Sequence, residues 1–122
     1  MLDQVNFHGT VAYDVVPTFY QRAALHVLSS RHEGLGMVTL EAAACAIPSV
    51  STAFGLLPDC PEMGICVPVG DDVALSAAIA HLLHDEAQRA ALSASALKTV
   101  RERYTIQQTV RQFTALYQSL RA

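Results

Sequence analysis

Short apolar runs closed by Gly or Pro alternate along this chain with segments of helical spacing, and that alternation decides the fold class. Residues 5–11 read as a strand ending at Gly9, and residues 25–29 and 48–52 read as two more. A fourth, over 64–69, is bounded by Gly64 and Pro68. Between the first two, residues 14–24 carry Val15, Val16, Phe19, Tyr20 and Ala23 at helical spacing, with Pro17 acceptable in a first turn. Residues 37–46 are apolar nearly all round apart from Thr39 and Glu41, the pattern of a helix buried on most sides. Strands that alternate with helices predict a parallel sheet covered on both faces, an α/β fold.

Three helices close the chain. Asp71 or Asp72 caps the first, whose stripe is Leu75, Ile79, Leu82 and Leu83. The second runs from about Glu86 to Tyr104, with Leu97, Val100 and Tyr104 inward. Thr105 to Gln108 reads as a capping box, followed by Ile106, Val110, Phe113, Tyr117 and Leu120 at helical spacing. No repeat or linker interrupts the 122 residues, so they read as a single unit, with the last two helices spanning 86–120.

Composition narrows the class further. Apolar residues make up 52% and charged residues 16%, against about 25% charged in an average soluble protein. Such a chain is not disordered. No stretch is long and apolar enough for a membrane span, and the first residues have neither a basic nor an apolar leader region. Three cysteines without a Cys-x-x-Cys give no disulfide framework, and a reducing cytoplasm is the expected compartment.

The net charge of −3 is unevenly spread. Residues 1–88 hold ten acidic and two basic side chains, whereas residues 89–122 hold six basic and one acidic. The basic tail is expected to face the acidic body, with a peripheral membrane surface as the weaker option. Nucleic acid is a poor partner for a chain of pI about 5.9 without an aromatic stacking platform.

In open parallel sheets, ligands bind outside the carboxyl ends of the strands. That rule selects the loop Ser29-Ser30-Arg31-His32-Glu33-Gly34-Leu35-Gly36. Gly34 and Gly36 let backbone approach a ligand, and the N–H groups of Gly36, Met37 and Val38 open a helix end suited to phosphate. Two carboxylates sharpen the reading. Glu33 lies in the loop, and Glu41 lies about one turn into the helix. A carboxylate there needs a hydrogen-bonding partner. Sugar hydroxyls would serve; so would an Arg or a backbone N–H for Glu41, with Glu33 left in solvent.

The segment Ser30-x-x-Glu33-Gly-Leu-Gly36-x4-Glu41-Ala42, then Pro48-Ser-Val50, resembles the signature of retaining glycosyltransferases with the GT-B fold. More narrowly, it is similar to the family-four (group 1) enzymes that use nucleotide sugars. Val5-x-Phe-x-Gly9-x-Val11 upstream, Gly64-Ile-x-Val67-Pro68 downstream and Asp72-x-Ala-Leu75 extend the likeness over nearly the whole chain.

The resemblance implies a Rossmann-like donor-binding domain and a sugar transfer with retained configuration, in glycan or polysaccharide biosynthesis. On that basis Glu33 contacts the donor sugar near the reacting carbon, as the catalytic carboxylate, and Glu41 binds the ribose hydroxyls. Gly34, Leu35, Gly36, Met37 and Val38 offer backbone N–H groups to sugar and diphosphate. Gly9 and Thr10 lie near the nucleobase, Ser30 shapes the loop, and Gly55 with Asp59 keeps a sugar-phosphate role. No metal or other cofactor is implied, and no Asp-x-Asp occurs. The partners implied are a nucleoside-diphosphate sugar and a glycan or lipid acceptor.

Several features depart from that pattern. The family usually has Gly at the position of Ala46, which would be strained if left-handed. Gly55-Leu-Leu-Pro-Asp59 replaces a Gly-Gly-x-x-Glu. His32, His81, His84, Cys60 and Cys66 read as ordinary loop, helix and strand residues. The family's first two strands of this domain, with an Arg and a Lys for the diphosphate, and its acceptor-binding N-terminal domain have no counterpart before Val5. The expected result is a partial domain, with strand 5–11 re-paired beside strand 25–29, swapped with another chain, or left floating. The fold is then weak or oligomeric, and catalysis needs the missing half. The alternative function is a non-catalytic remnant that binds a nucleotide or another protein.

Overall fold

The computed structural model describes residues 2–121. Its centre is a three-stranded parallel sheet, β1 (His26–Leu28), β2 (Ser49–Thr52) and β3 (Gly64–Val67), in the order β1-β2-β3. His26 stands opposite Ser49 and Leu28 opposite Ser51; Ser49 in turn faces Gly64, and Thr52 faces Val67. The β2–β3 pairing is so close that a Cβ on Gly64 would fall 1.8 Å from the Ser49 carbonyl oxygen. Only glycine fits there.

The described residues form five α-helices: α1 (Val16–Arg22), α2 (Met37–Ala44), α3 (Asp72–His84), α4 (Glu86–Arg103) and α5 (Ile106–Ser119). Two separate apolar clusters cover the sheet's two faces. On one, Val50 and Val67 pack with Ala78 and Leu82 of α3. On the other, Ala43 of α2 and Ala96 of α4 enclose Leu56, Leu57, Cys60 and Met63 from the β2–β3 connection. That connection contains two short 3-10 turns, Leu57–Asp59 and Pro61–Met63, and no α-helix. The apolar side chains of the two strands, Val50, Ile65 and Val67, all join the first cluster, and the second is built from the helices and the β2–β3 connection.

β2 itself reads Ser-Val-Ser-Thr yet is buried throughout. Its hydroxyls are all engaged. Ser49 Oγ lies 2.9 Å from His26 Nδ1, Ser51 Oγ donates to the Thr52 carbonyl at 3.0 Å, and Thr52 Oγ1 donates to the Ser30 carbonyl. Satisfied this way, the polar strand avoids the penalty of burial without partners.

Helix starts follow the expected chemistry with one exception. Asp71 caps α3, its Oδ1 accepting from Ala74 N at 2.8 Å, and Asp85 does the same for α4 through Gln88 N. Thr105 Oγ1 accepts from Gln108 N at 3.3 Å, and the Gln108 side-chain amide donates to the Glu102 carbonyl at 2.8 Å. Only half of the expected capping box forms among the described residues, since the Gln108 side chain accepts no bond from Thr105 N. Leu83 is also not part of the α3 stripe. It is half exposed, and Ala78 takes its place in the core.

The segment 5–11 corrects the strand assignment, and of the arrangements expected for it the unpaired one is found. It is neither a strand nor paired with β1. Val5 and Phe7 are exposed, Phe7 to 91%, while the His8 ring packs edge-on against Phe19 of α1 at 4.8 Å. A strand needs backbone partners. β1 offers three residues, and a tie to α1 holds the segment away from that edge. The basic tail meets the acidic body at two points. Arg103 pairs with Glu62 at 3.2 Å, and Arg89 donates to the Leu82 and Leu83 carbonyls at the end of α3.

Candidate functional site

The loop after β1 is built from both ends. At its start, the Ser30 carbonyl is held by Thr52 Oγ1 from the end of β2, and Ser30 Oγ donates to Glu33 Oε1 at 2.8 Å. Glu33 is thus half-buried and anchored within its own loop. At its end, Gly36 enters α2 with φ 71°, a left-handed value that an L side chain rarely takes. Gly55 presses against this turn with φ 70°, and a Cβ there would lie 2.9 Å from the Leu35 carbonyl oxygen. Two left-handed glycines from different loops therefore meet where α2 begins.

Because Gly36 has no side chain, nothing caps that helix. Thr39 N turns back to the Gly36 carbonyl at 2.9 Å. The N–H groups of Met37 and Val38 are left without a protein acceptor among the described residues. An uncapped amino end carries a partial positive charge and suits an anion.

Glu41 lies about one turn further on, and its partner is neither an Arg nor a backbone N–H. The Tyr20 hydroxyl of α1 donates to Glu41 Oε2 at 3.2 Å. Burial, followed by the adjacent carboxylate, pushes the Tyr20 phenol up to about 12. The Tyr20 ring also meets His26 of β1 edge-on, centroids 5.8 Å apart. Burial holds His26 below its ordinary value of 6.5. Glu41 opens onto a largely apolar cleft of about 190 Å³ shared with Tyr13, Pro17, Tyr20 and Cys45.

A second cleft of about 350 Å³ lies across the carboxyl ends of all three strands, lined by Ser29, Arg31, Thr52, Gly70 and Asp71. Leu35 and Met37 border a third, of about 500 Å³, with Arg103, Tyr104 and Gln108 opposite. The predicted residues thus fall into groups. Ser30 with Glu33, and Leu35 and Gly36 with Gly55, are in mutual contact, whereas Glu41 keeps separate company with α1. Gly9, left-handed at φ 62°, and Thr10 are exposed, with open space around the Gly9 Cα, and Asp59 is exposed on its 3-10 turn. His32 packs against Phe54 at 5.3 Å. Sequence reading did not single out Tyr20 or Thr52. In the sequence each reads as a structural position, and the signal it offers is a hydroxyl, on an apolar helix stripe for Tyr20 and at a strand's carboxyl end for Thr52.

The profile described as glycosyl transferases group 1 matches residues 1–99, most of the chain. The chain belongs to this family. Among its relatives is the lipopolysaccharide core biosynthesis mannosyltransferase LpsB of Rhizobium meliloti strain 1021, 30% identical over 98% of this chain and 35% of that protein. The mannosyltransferase LpcC of Rhizobium leguminosarum bv. viciae is 33% identical over 97% of this chain and 34% of its own length. Among solved structures, a sucrose-phosphate synthase from Thermosynechococcus elongatus superposes with a TM-score of 0.87 at 31% identity, over 97% of this chain and 30% of that one. This group 1 glycosyltransferase chain has the GT-B Rossmann-like architecture and spans about a third of the length of the curated relatives it matches. No helix among its described residues is long and apolar enough to cross a membrane.

Proposed function

We propose that this chain forms the donor-binding side of a glycosyltransferase that moves a sugar from a nucleoside diphosphate to a glycan or lipid acceptor, with retention at the anomeric carbon. The observation that carries the reading is the uncapped start of α2, opened by Gly36 and pressed by Gly55, with Glu33 before it and Glu41 one turn beyond. A diphosphate at Met37 N and Val38 N takes the positive helix end. Leaving-group charge is then stabilised by backbone dipoles, and no metal is required of this chain. Glu33, fixed by Ser30, faces the sugar, and Glu41 accepts from the ribose hydroxyls. Gly9 and Thr10 take the side of the nucleobase.

In this reading acceptor binding, and the cations that neutralise the diphosphate, are supplied from outside this chain. In this reading the chain binds nucleotide but transfers sugar only together with such an acceptor-binding half.

Titration calorimetry with UDP, GDP and ADP tests the proposal. One of the three is expected to bind, and Glu41→Ala to weaken it by about tenfold or more, the worth of a hydrogen-bonded carboxylate. Absence of binding by all three, or full affinity in Glu41→Ala, overturns it.

A further inference from the structure

Glu41 sits on α2 among Ala42, Ala43 and Ala44, so its own helix offers its carboxylate no side-chain partner. Among the described residues, the one hydrogen bond it accepts comes from Tyr20, at Oε2. That phenol is itself held. Its ring rests edge-on against His26, and His26 Nδ1 is 2.9 Å from Ser49 Oγ in the buried central strand. A connected path therefore runs from the sheet through His26 and Tyr20 to one oxygen of Glu41. A phenol that deprotonates only near 12 stays a donor throughout the neutral range.

The carboxylate has two oxygens and about four acceptor positions. Tyr20 uses one, on Oε2. Oε1 stays open, and the fixed plane of the group presents it at a defined angle. A vicinal diol needs two acceptors at a set spacing, so a carboxylate free to rotate would hold it less well.

We propose that Tyr20 is a positioning residue that orients the Glu41 carboxylate to accept both hydroxyls of a ribose, and so sets the preference for ribonucleotides over 2′-deoxyribonucleotides. This rests on the reading of Glu41 as the ribose-binding residue. Tyr20 touches no reacting atom in this scheme; it acts through Glu41.

The test compares the full chain with Tyr20→Phe, which keeps the ring on His26 and removes only the hydroxyl. Tyr20→Met, also lacking the hydroxyl, is measured in parallel. Calorimetry gives the affinity for whichever of UDP, GDP or ADP binds most tightly, and for its 2′-deoxy counterpart. The wild-type chain is expected to favour the ribonucleotide by about tenfold, the size of one hydrogen bond to a charged group. Both variants are expected to lose most of that ratio, with deoxynucleotide affinity little changed. A variant whose two affinities fall together at an unchanged ratio shows Tyr20 to be structural only and overturns the proposal. A wild-type ratio near one removes the ribose role of Glu41, and the proposal with it.

Discussion

Ala46 occupies a backbone position made for glycine. It has φ 60°, and the hydrogen bonds around it, Ala46 N to the Ala43 carbonyl and Ile47 N to the Ala42 carbonyl, are those of a Schellman turn closing α2. An L side chain in that conformation costs about 1 kcal/mol relative to glycine. Ala46→Gly is therefore expected to stabilise the chain by about 1 kcal/mol, less a few tenths for the freer unfolded state. Urea unfolding monitored by circular dichroism measures it, and an unchanged or lower midpoint contradicts the strain. Gly55 presents the opposite case. Its positive φ and the 2.9 Å approach to the Leu35 carbonyl leave no room for a methyl group. Gly55→Ala should destabilise the chain by more than about 1 kcal/mol and weaken nucleotide binding as well, because the displaced backbone is that of the Gly36 turn. Full stability and full binding in this variant would remove Gly55 from the site.

The elements were legible in the sequence where local chemistry and burial agree. β1, β2, β3 and α2 to α5 begin and end close to their Gly, Pro, Asp and Thr signals. Residues 5–11 alternate apolar and polar side chains like a strand, but alternation records a local pattern and says nothing of whether a neighbouring edge is available. Gln108 shows the same limit on a smaller scale, since the spacing to Thr105 predicts a capping box but not that the Gln108 amide turns to donate to the Glu102 carbonyl. Glu33, Gly36 and Glu41 could be picked out from spacing, yet Tyr20 could not be joined to Glu41, because 21 residues separate them in the chain. α5 carries the clearest consequence. Its Ile106, Val110, Phe113, Tyr117 and Leu120 keep helical spacing, yet none of its residues is buried. Its stability must then come from propensity and the Thr105 cap, which are marginal for a helix of 14 residues. Amide hydrogen exchange is expected to run at least about tenfold faster in α5 than in the Ala96–Val100 turn of α4. Equal protection in the two helices would mean that the α5 face is covered in solution.

At the scale of the whole molecule, stability should depend on pH through groups that join the sheet to the site. His26 titrates lower folded than unfolded because it is buried. Its contribution is present above its ordinary 6.5 and is lost as pH falls through the lower folded value, since the unfolded chain takes up the proton more readily. Tyr20 titrates higher folded than unfolded. Its contribution is complete below 10 and is lost as pH rises from there to about 12. Burial raises the Cys66 thiol, and the bond to Cys60 raises the Tyr104 phenol, so both add to the alkaline loss. The urea midpoint should accordingly be highest between about pH 6.5 and 9 and fall on both sides. Tyr20→Phe should flatten part of the alkaline fall and leave the acid side unchanged, because the ring against His26 is retained. His26→Gln should flatten the acid side alone. If Tyr20→Phe leaves the alkaline arm as steep as in the wild type, the Tyr20 proton is not held by Glu41 and its surroundings, and the path from β2 to the carboxylate does not operate in solution.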